Sequence, residues 1–196
     1  MTPEEETGHG VPGARLDALT DGVIAIAITL LVLELRLPEE IGHLDGAAMW
    51  RLLAAMRPQF AGYGISFIVV GTLWISHVQV LRGQGPADAA TVWMTLGFLA
   101  LVALVPFTTA LLSRSHGVVA TVVYAGTMGL ASLLLGLMAR RRRGTPGVAG
   151  LAGDVVIALV FAASIGIAFW NPMAARLCWL LILPVSLSGL LRRRRL

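Results

Sequence analysis

From Arg15 to Glu34 the chain reads RLDALTDGVIAIAITLLVLE, an apolar run whose charged residues lie toward its two ends. A hydrocarbon core about 30 Å thick takes roughly 20 helical residues to cross, because each residue of an α-helix rises about 1.5 Å. The run therefore predicts a membrane-spanning helix at residues 18–37, with the carboxylate of Asp21 near one end of it.

The rest of the chain has the same character. Hydrophobic residues make up 57% of the 196 positions and charged residues only 13%. A soluble domain of this size cannot bury that much apolar surface, so lipid must be the main solvent. The sequence predicts an all-α integral membrane protein with six spans, at residues 18–37, 58–81, 91–113, 117–139, 151–170 and 173–191.

The placement of arginine predicts the orientation of these spans. All fifteen basic residues are arginine, and an inside N-terminus puts ten at inner ends of spans and five at outer ends. The inner set is Arg15, Arg82, Arg140–Arg143 and Arg192–Arg195, and the outer set is Arg36, Arg51, Arg57, Arg114 and Arg176. The positive-inside rule then predicts that both termini are cytoplasmic, and the same charges bind membrane lipids rather than nucleic acid.

This orientation gives the expected domain organisation. Residues 1–17 form a cytoplasmic N-terminal segment, residues 18–191 the six-helix membrane domain, and residues 192–196 a cytoplasmic basic tail. The start of the chain is polar and acidic, unlike the basic start of a signal peptide, so we expect the first span to be retained as a helix.

The first helix carries a regular apolar stripe. At about 100° per residue, branched side chains recur on one face, and a hydroxyl lies at the edge of that face. The stripe consists of Gly22, Ile26, Leu30, Leu33 and Leu37, with Thr29 at its edge. Periodicity alone is equally typical of a helix surface that packs against lipid or another helix.

Polar residues at the predicted inner ends of the first two helices form a second candidate site. Asp21 lies within a span, where a carboxylate normally needs a partner and often marks function. Trp74 and His77 share one face of the second helix at a spacing of three. We expect a hydrogen-bonded cluster that links Asp21 to both, with Arg15 and Thr20 beside it. A tryptophan at this depth is also typical of a simple interfacial anchor.

At these residues the sequence resembles a known family. The stretch is similar to the first-helix signature of the transmembrane-protein-175 family of potassium channels, R-x-x-x-F-S-D-G followed by A-I-A-I-T-L-L-V-L-E. Leu19 and Thr20 replace the phenylalanine and serine of that signature. The matching positions are Arg15, Asp21, Gly22 and Ala25–Glu34.

Two shorter stretches extend the resemblance. Residues 74–77 read WISH, which resembles the W-x-x-H of the second helix in that family. Residues 106–109 read PFTT, which resembles the P-F-x-T of its third helix. The resemblance therefore covers the first three predicted helices, whereas the last three agree in hydropathy alone.

The resemblance implies a potassium-permeable cation channel in a bacterial plasma membrane. Members of this length are tetramers of six-helix subunits, and four first helices line one central pore. Apolar side chains, here Ile26 and then Leu30 and Leu33, form its narrowest part, and Thr29 adds a polar ring. The family lacks the T-V-G-Y-G filter, as this chain does. The implied partners are three further copies of the chain and permeant potassium, and no cofactor is implied.

Two other functions fit the residues as well. One is a small transporter or proton-leak pathway in which Asp21 and His77 carry protons, and the other is a membrane scaffold without transport. An enzyme is not expected, because the sequence offers no nucleophile and base arrangement and no phosphate-binding glycine loop after a strand. The four histidines are scattered without metal-ligand spacing, so no metal site is expected either.

Overall fold

The computed structural model describes residues 10–38, 41–43, 45–81, 85–115, 117–143 and 148–182. Within these ranges the regular elements are helical, and the extended pairing is confined to an isolated antiparallel bridge between Val11 and Ala87. The prediction of an all-α protein is confirmed for this part of the chain.

Eight α-helices follow one another in the described residues, with short 3-10 turns at Ile41–His43 and Trp179–Leu181. They are α1 Gly13–Val32, α2 Gly46–Ala55, α3 Arg57–Leu81, α4 Ala89–Ala103, α5 Val105–Arg114, α6 Val118–Arg143, α7 Val148–Ala168 and α8 Pro172–Cys178.

Three helical stretches of the described chain are long and apolar enough to cross a membrane. They are Arg57–Leu81, Ala89–Arg114 and Val118–Arg142. Two shorter apolar stretches follow at Val155–Ala168 and Pro172–Leu181, and the last predicted span, 173–191, extends outside the described residues. The chain is thus a multi-pass helical protein, and the count of six spans stays a prediction.

The first helix differs from its predicted bounds of 18–37. It begins five residues earlier, at Gly13, and ends at Val32. Beyond it the N–H groups of Leu33 and Glu34 bond to carbonyls three residues back, which closes the helix in tighter turns. Pro38 disfavours the helical conformation at Leu37, so the predicted end of the helix at residue 37 is wrong.

The Ala89–Arg114 stretch is interrupted at Leu104, where α4 ends and α5 begins. Pro106 has no N–H to bond to the carbonyl of Val102, and its ring crowds the preceding turn, so an uninterrupted helix is disfavoured there. The two pieces together position the PFTT residues against α3 and α6.

The core that positions α1 lies between α3, α4, α5 and α6. Leu73, Phe98, Tyr124 and Met128 are fully buried in it. The α6–α7 pair packs closely beside this core. A Cβ atom at Gly129 would lie 3.2 Å from that of Phe161, so a larger residue there would force the helices apart.

Candidate functional site

One face of α1 is buried in the bundle. Its buried residues recur at helical spacing and pack on α3, α4 and α5. They are Leu16, Thr20, Ile24, Ala27 and Leu31. Because this face holds α1 against the body of the subunit, the opposite face is presented outward.

The outward face carries the apolar stripe. In the single chain Ile26 is 61% exposed, Leu30 42% and Leu33 62%. Gly22 and Ala25 are exposed beside them. Large branched side chains grouped on one exposed face require a lipid or protein partner. The structure therefore puts the three candidate gate residues together on a face that the described residues of this subunit leave exposed.

Thr29 is exposed beside this stripe. Its Oγ1 donates a hydrogen bond to the carbonyl oxygen of Ile26, at 2.8 Å within the same helix. The hydroxyl proton is therefore used by the backbone, and the lone pairs of an exposed oxygen remain able to accept or to contact a cation.

Ile28 differs from the stripe, although it is only two residues from Ile26. It is partly buried and packs against the hydrophobic core of the bundle. The two faces of α1 are thus distinct in the structure as well as on the helical wheel.

Asp21 and Trp74 join the N-terminal half of α1 to α3. The indole Nε1 of Trp74 donates a hydrogen bond to Oδ1 of Asp21 at 2.7 Å. A donor that meets an ionised carboxylate at this distance makes one of the stronger hydrogen bonds in proteins. Both side chains are exposed in the single chain, Trp74 to 40%.

His77 does not bond to Asp21, unlike in the predicted cluster. It is fully buried, and among the described residues neither ring nitrogen has a hydrogen-bond partner. Its ring stacks on Phe98 of α4, with centroids 5.3 Å apart and planes within 8°. The His77 side chain, about one helical turn after Trp74, points into the core of the bundle rather than toward α1.

The other two members of the predicted cluster take no part in the hydrogen bond between Trp74 and Asp21. Thr20 is buried, and its hydroxyl has no hydrogen-bond partner among the described residues. Arg15 is exposed at the start of α1. The structure thus brings Asp21 and Trp74 together, with Thr20 and His77 buried nearby and Arg15 outside.

A buried polar triad was not anticipated from the sequence. The Ser66 Oγ lies 2.8 Å from the Thr109 Oγ1 and 3.0 Å from the Tyr124 hydroxyl oxygen, and all three side chains are buried. Because lipid offers no alternative partner, such bonds fasten α3, α5 and α6 to one another. Thr109 belongs to the PFTT motif, so the sequence had singled out one of the three residues of this triad.

Glu34, the last residue of the signature, also has a partner. The Arg114 Nη2 at the end of α5 lies 3.5 Å from the Glu34 Oε2, and the carboxylate side chain is only 18% exposed. This ion pair ties the segment that follows α1 to the end of α5. Within the described ranges no three His, Cys, Asp or Glu side chains come together as a metal site.

The geometry is that of a multi-pass helical protein that presents one apolar face of its first helix. Residues 15–106 match the family model described as the endosomal/lysosomal potassium channel TMEM175. Residues 15–106 thus resemble the family that the first-helix signature predicted.

Individual relatives agree with this assignment. A potassium channel of Streptomyces collinus is 40% identical over 100 residues, which cover 51% of this chain and 47% of that protein. The mouse endosomal/lysosomal proton channel TMEM175 is 37% identical over 95 residues, covering 46% of this chain and 18% of the mouse protein. The matches thus span about half the length of the bacterial relative and a smaller share of the vertebrate one.

The fold agrees over a longer part of the chain. The crystal structure of a lysosomal potassium-selective channel TMEM175 homolog from Chamaesiphon minutus superimposes with a TM-score of 0.78 at 25% identity. The superposition covers 90% of this chain and 97% of that one.

Proposed function

We propose that this chain forms a potassium-permeable cation channel whose narrowest part is an apolar constriction lined by α1 of four subunits. The exposure of Ile26, Leu30 and Leu33 together, on a side of α1 distinct from its buried face, is the observation that carries the proposal. Four such faces around one axis enclose a path that a single subunit cannot enclose. The match of residues 15–106 to a channel family supports the same arrangement.

The proposed constriction controls ion passage by excluding water from the neck of the pore. A ring of branched apolar side chains disfavours water in a narrow neck, so the pore can close by dewetting without a moving plug. An ion that enters must lose part of its hydration shell, and potassium loses water at lower cost than sodium. The result is a modest preference for potassium, with the exposed Thr29 oxygen as the nearby polar contact.

Reconstitution into liposomes tests this function. The purified chain should carry potassium down an imposed gradient, carry sodium more slowly, and show no requirement for a second coupled ion. Saturating flux that depends on a second ion would instead support a transporter, and the absence of flux in well-folded protein would support a scaffold.

The proposed assembly is a homotetramer of six-helix subunits. Native mass measurement in detergent should give four copies, whereas a stable monomer or dimer contradicts the enclosed pore. This proposal keeps the expected organisation of a cytoplasmic segment at 1–17, a membrane domain at 18–191 and a cytoplasmic tail at 192–196.

The proposed topology places both termini in the cytoplasm of a bacterial cell. Cysteine labelling in a Cys178→Ala background tests it, because Cys178 is the chain's only native thiol. A cysteine at His43 should react with an impermeant reagent from outside, and one at Arg140, an exposed residue of α6, only from inside. The reverse pattern contradicts the topology.

A proton pathway is the second candidate function, and two observations favour it. The mouse relative carries the name of a proton channel, and His77 is buried without a hydrogen-bond partner among the described residues. Asp21→Asn and His77→Ala separate the candidates. Loss of proton flux with intact assembly and intact potassium flux supports the proton pathway, whereas loss of assembly supports a bracing role for these residues.

A further inference from the structure

A groove of about 380 Å³ lies between the start of α3, the end of α5 and α8. On one side α8 packs on α6 and α7, and on the other α3 packs on α5, with the groove between them. Its walls are apolar, with Ile65, Leu112 and Trp179 along them. Its rim includes the exposed residues Ala61 and Leu177.

Two arginines line the same groove. Arg57 is exposed at the first position of α3, and Arg176 is partly buried on α8. Hydrogen bonds hold the Arg176 guanidinium in place, from Nη2 to the Ser115 carbonyl at 2.7 Å and from Nε to the Thr121 hydroxyl at 3.2 Å. Its remaining N–H groups can still donate, because a guanidinium carries five.

Among the residues that the structure describes, no acidic side chain lines this groove to balance the two charges. Two described acids toward this end of the bundle have other partners. Glu34 pairs with Arg114, and Asp45 accepts the backbone N–H of Ala48 at the start of α2. The two arginines beside apolar walls thus favour a ligand from outside the subunit that combines an anionic group with an apolar chain.

We infer that this groove binds an anionic phospholipid, with one acyl chain along the apolar walls and the phosphate between Arg57 and Arg176. Both arginines lie at helix ends that the arginine distribution places at the outer membrane surface, the depth at which lipid phosphates lie and arginines extend toward water. The planar guanidinium suits a phosphate, which accepts several N–H groups at once. The inference does not depend on ion permeation.

Native mass spectrometry of the purified chain tests it, with phosphatidylglycerol and phosphatidylcholine of matched acyl chains as probes. The wild type should retain phosphatidylglycerol at lower lipid concentration than phosphatidylcholine. Arg57→Gln should weaken phosphatidylglycerol binding about tenfold, since it removes one charge-assisted contact to the phosphate. It should weaken phosphatidylcholine binding less, because the choline ammonium already offsets the phosphate charge of that lipid. Ala61→Trp, which fills the groove, should weaken the binding of both lipids.

Arg51→Gln is the matched control, because Arg51 is an exposed arginine of the neighbouring α2 that does not line the groove. The inference is wrong if the wild type binds both lipids equally, or if Arg51→Gln weakens binding as much as Arg57→Gln. Competition by free glycerol phosphate at the same concentration would show a phosphate site without an acyl groove. Loss of oligomers in Ala61→Trp with unchanged lipid binding would show that a second copy covers the groove. Either this result or competition by glycerol phosphate would overturn the inference.

Discussion

The hydrogen bond between Trp74 and Asp21 joins the proposed pore helix to α3 beside their apolar packing, and the cost of its removal can be calculated. Trp74→Phe keeps an aromatic ring but removes the Nε1 donor that lies 2.7 Å from Asp21 Oδ1. Hydrogen bonds to charged groups contribute about 1.5–3 kcal/mol. Because Trp74 is 40% exposed, water competes for the carboxylate, and we expect a net loss of about 1 kcal/mol. For a chain of this size that corresponds to roughly 2–4 °C in the melting temperature.

A double-mutant cycle separates this hydrogen bond from the packing of the indole ring. Trp74→Phe, Asp21→Ala and the combined variant are unfolded thermally in detergent and followed by far-UV circular dichroism. The two single changes should be non-additive by about 1 kcal/mol, since each removes the same bond. Trp93→Phe is the matched control, because Trp93 is 73% exposed on α4. Strict additivity, or an equal loss in Trp93→Phe, would refute a coupling between α1 and α3 at this point.

The remaining predictions concern the buried triad and the polar surface at the start of α4. Ser66→Ala should lower the melting temperature more than Tyr124→Phe, because it leaves two buried hydroxyls without their shared partner, at about 1–3 kcal/mol for each unsatisfied group; equal losses in thermal unfolding would contradict this. Hydrogen bonds from Thr91 and then from Arg141 lower the pKa of Asp88 well below its usual range. A lowered folded-state pKa contributes stability above the carboxyl's ordinary pKa and loses it as the pH falls toward the folded value. Asp88→Asn should therefore be less stable than wild type at neutral pH and converge with it in strong acid, and a pH-independent difference would contradict the linkage.

The two faces of α1 could be predicted from the sequence because helical periodicity assigns each residue to a direction. Ile26, Leu30 and Leu33 are exposed together, and Ile28 packs inward, as the wheel requires. The predicted end of the helix was wrong because the apolar run continues through residue 37, whereas Pro38 disfavours the helical conformation at Leu37. Helical periodicity thus predicted the direction of the α1 side chains more reliably than hydropathy predicted the length of the helix.

The partner of His77 could not be predicted in the same way. The spacing of Trp74 and His77 put both on one side of α3, but stacking on Phe98 depends on how α4 approaches, which is a long-range packing outcome. The same holds for the triad, whose three residues are 43 to 58 positions apart along the chain where they bond.

The short helix α2 was also missed, and for a different reason. At ten residues it is too short to cross a membrane, and a search for spans passes over it. Its start was nevertheless encoded locally, because Asp45 caps the helix by accepting the N–H of Ala48. A search for helix caps between spans would have found it.

The central claim is that the outward face of α1 lines the ion path, and recording potassium and sodium currents from Ile26→Asn in planar bilayers tests it most directly. A polar side chain of similar size should hydrate an apolar neck, so the conductance should rise and sodium should pass more easily relative to potassium. Val32→Asn is the control on the same helix, since Val32 is 48% exposed but lies about 240° around the helix from Ile26. The account predicts altered conductance and selectivity in Ile26→Asn alone. Unchanged currents in Ile26→Asn together with altered currents in Val32→Asn would contradict it.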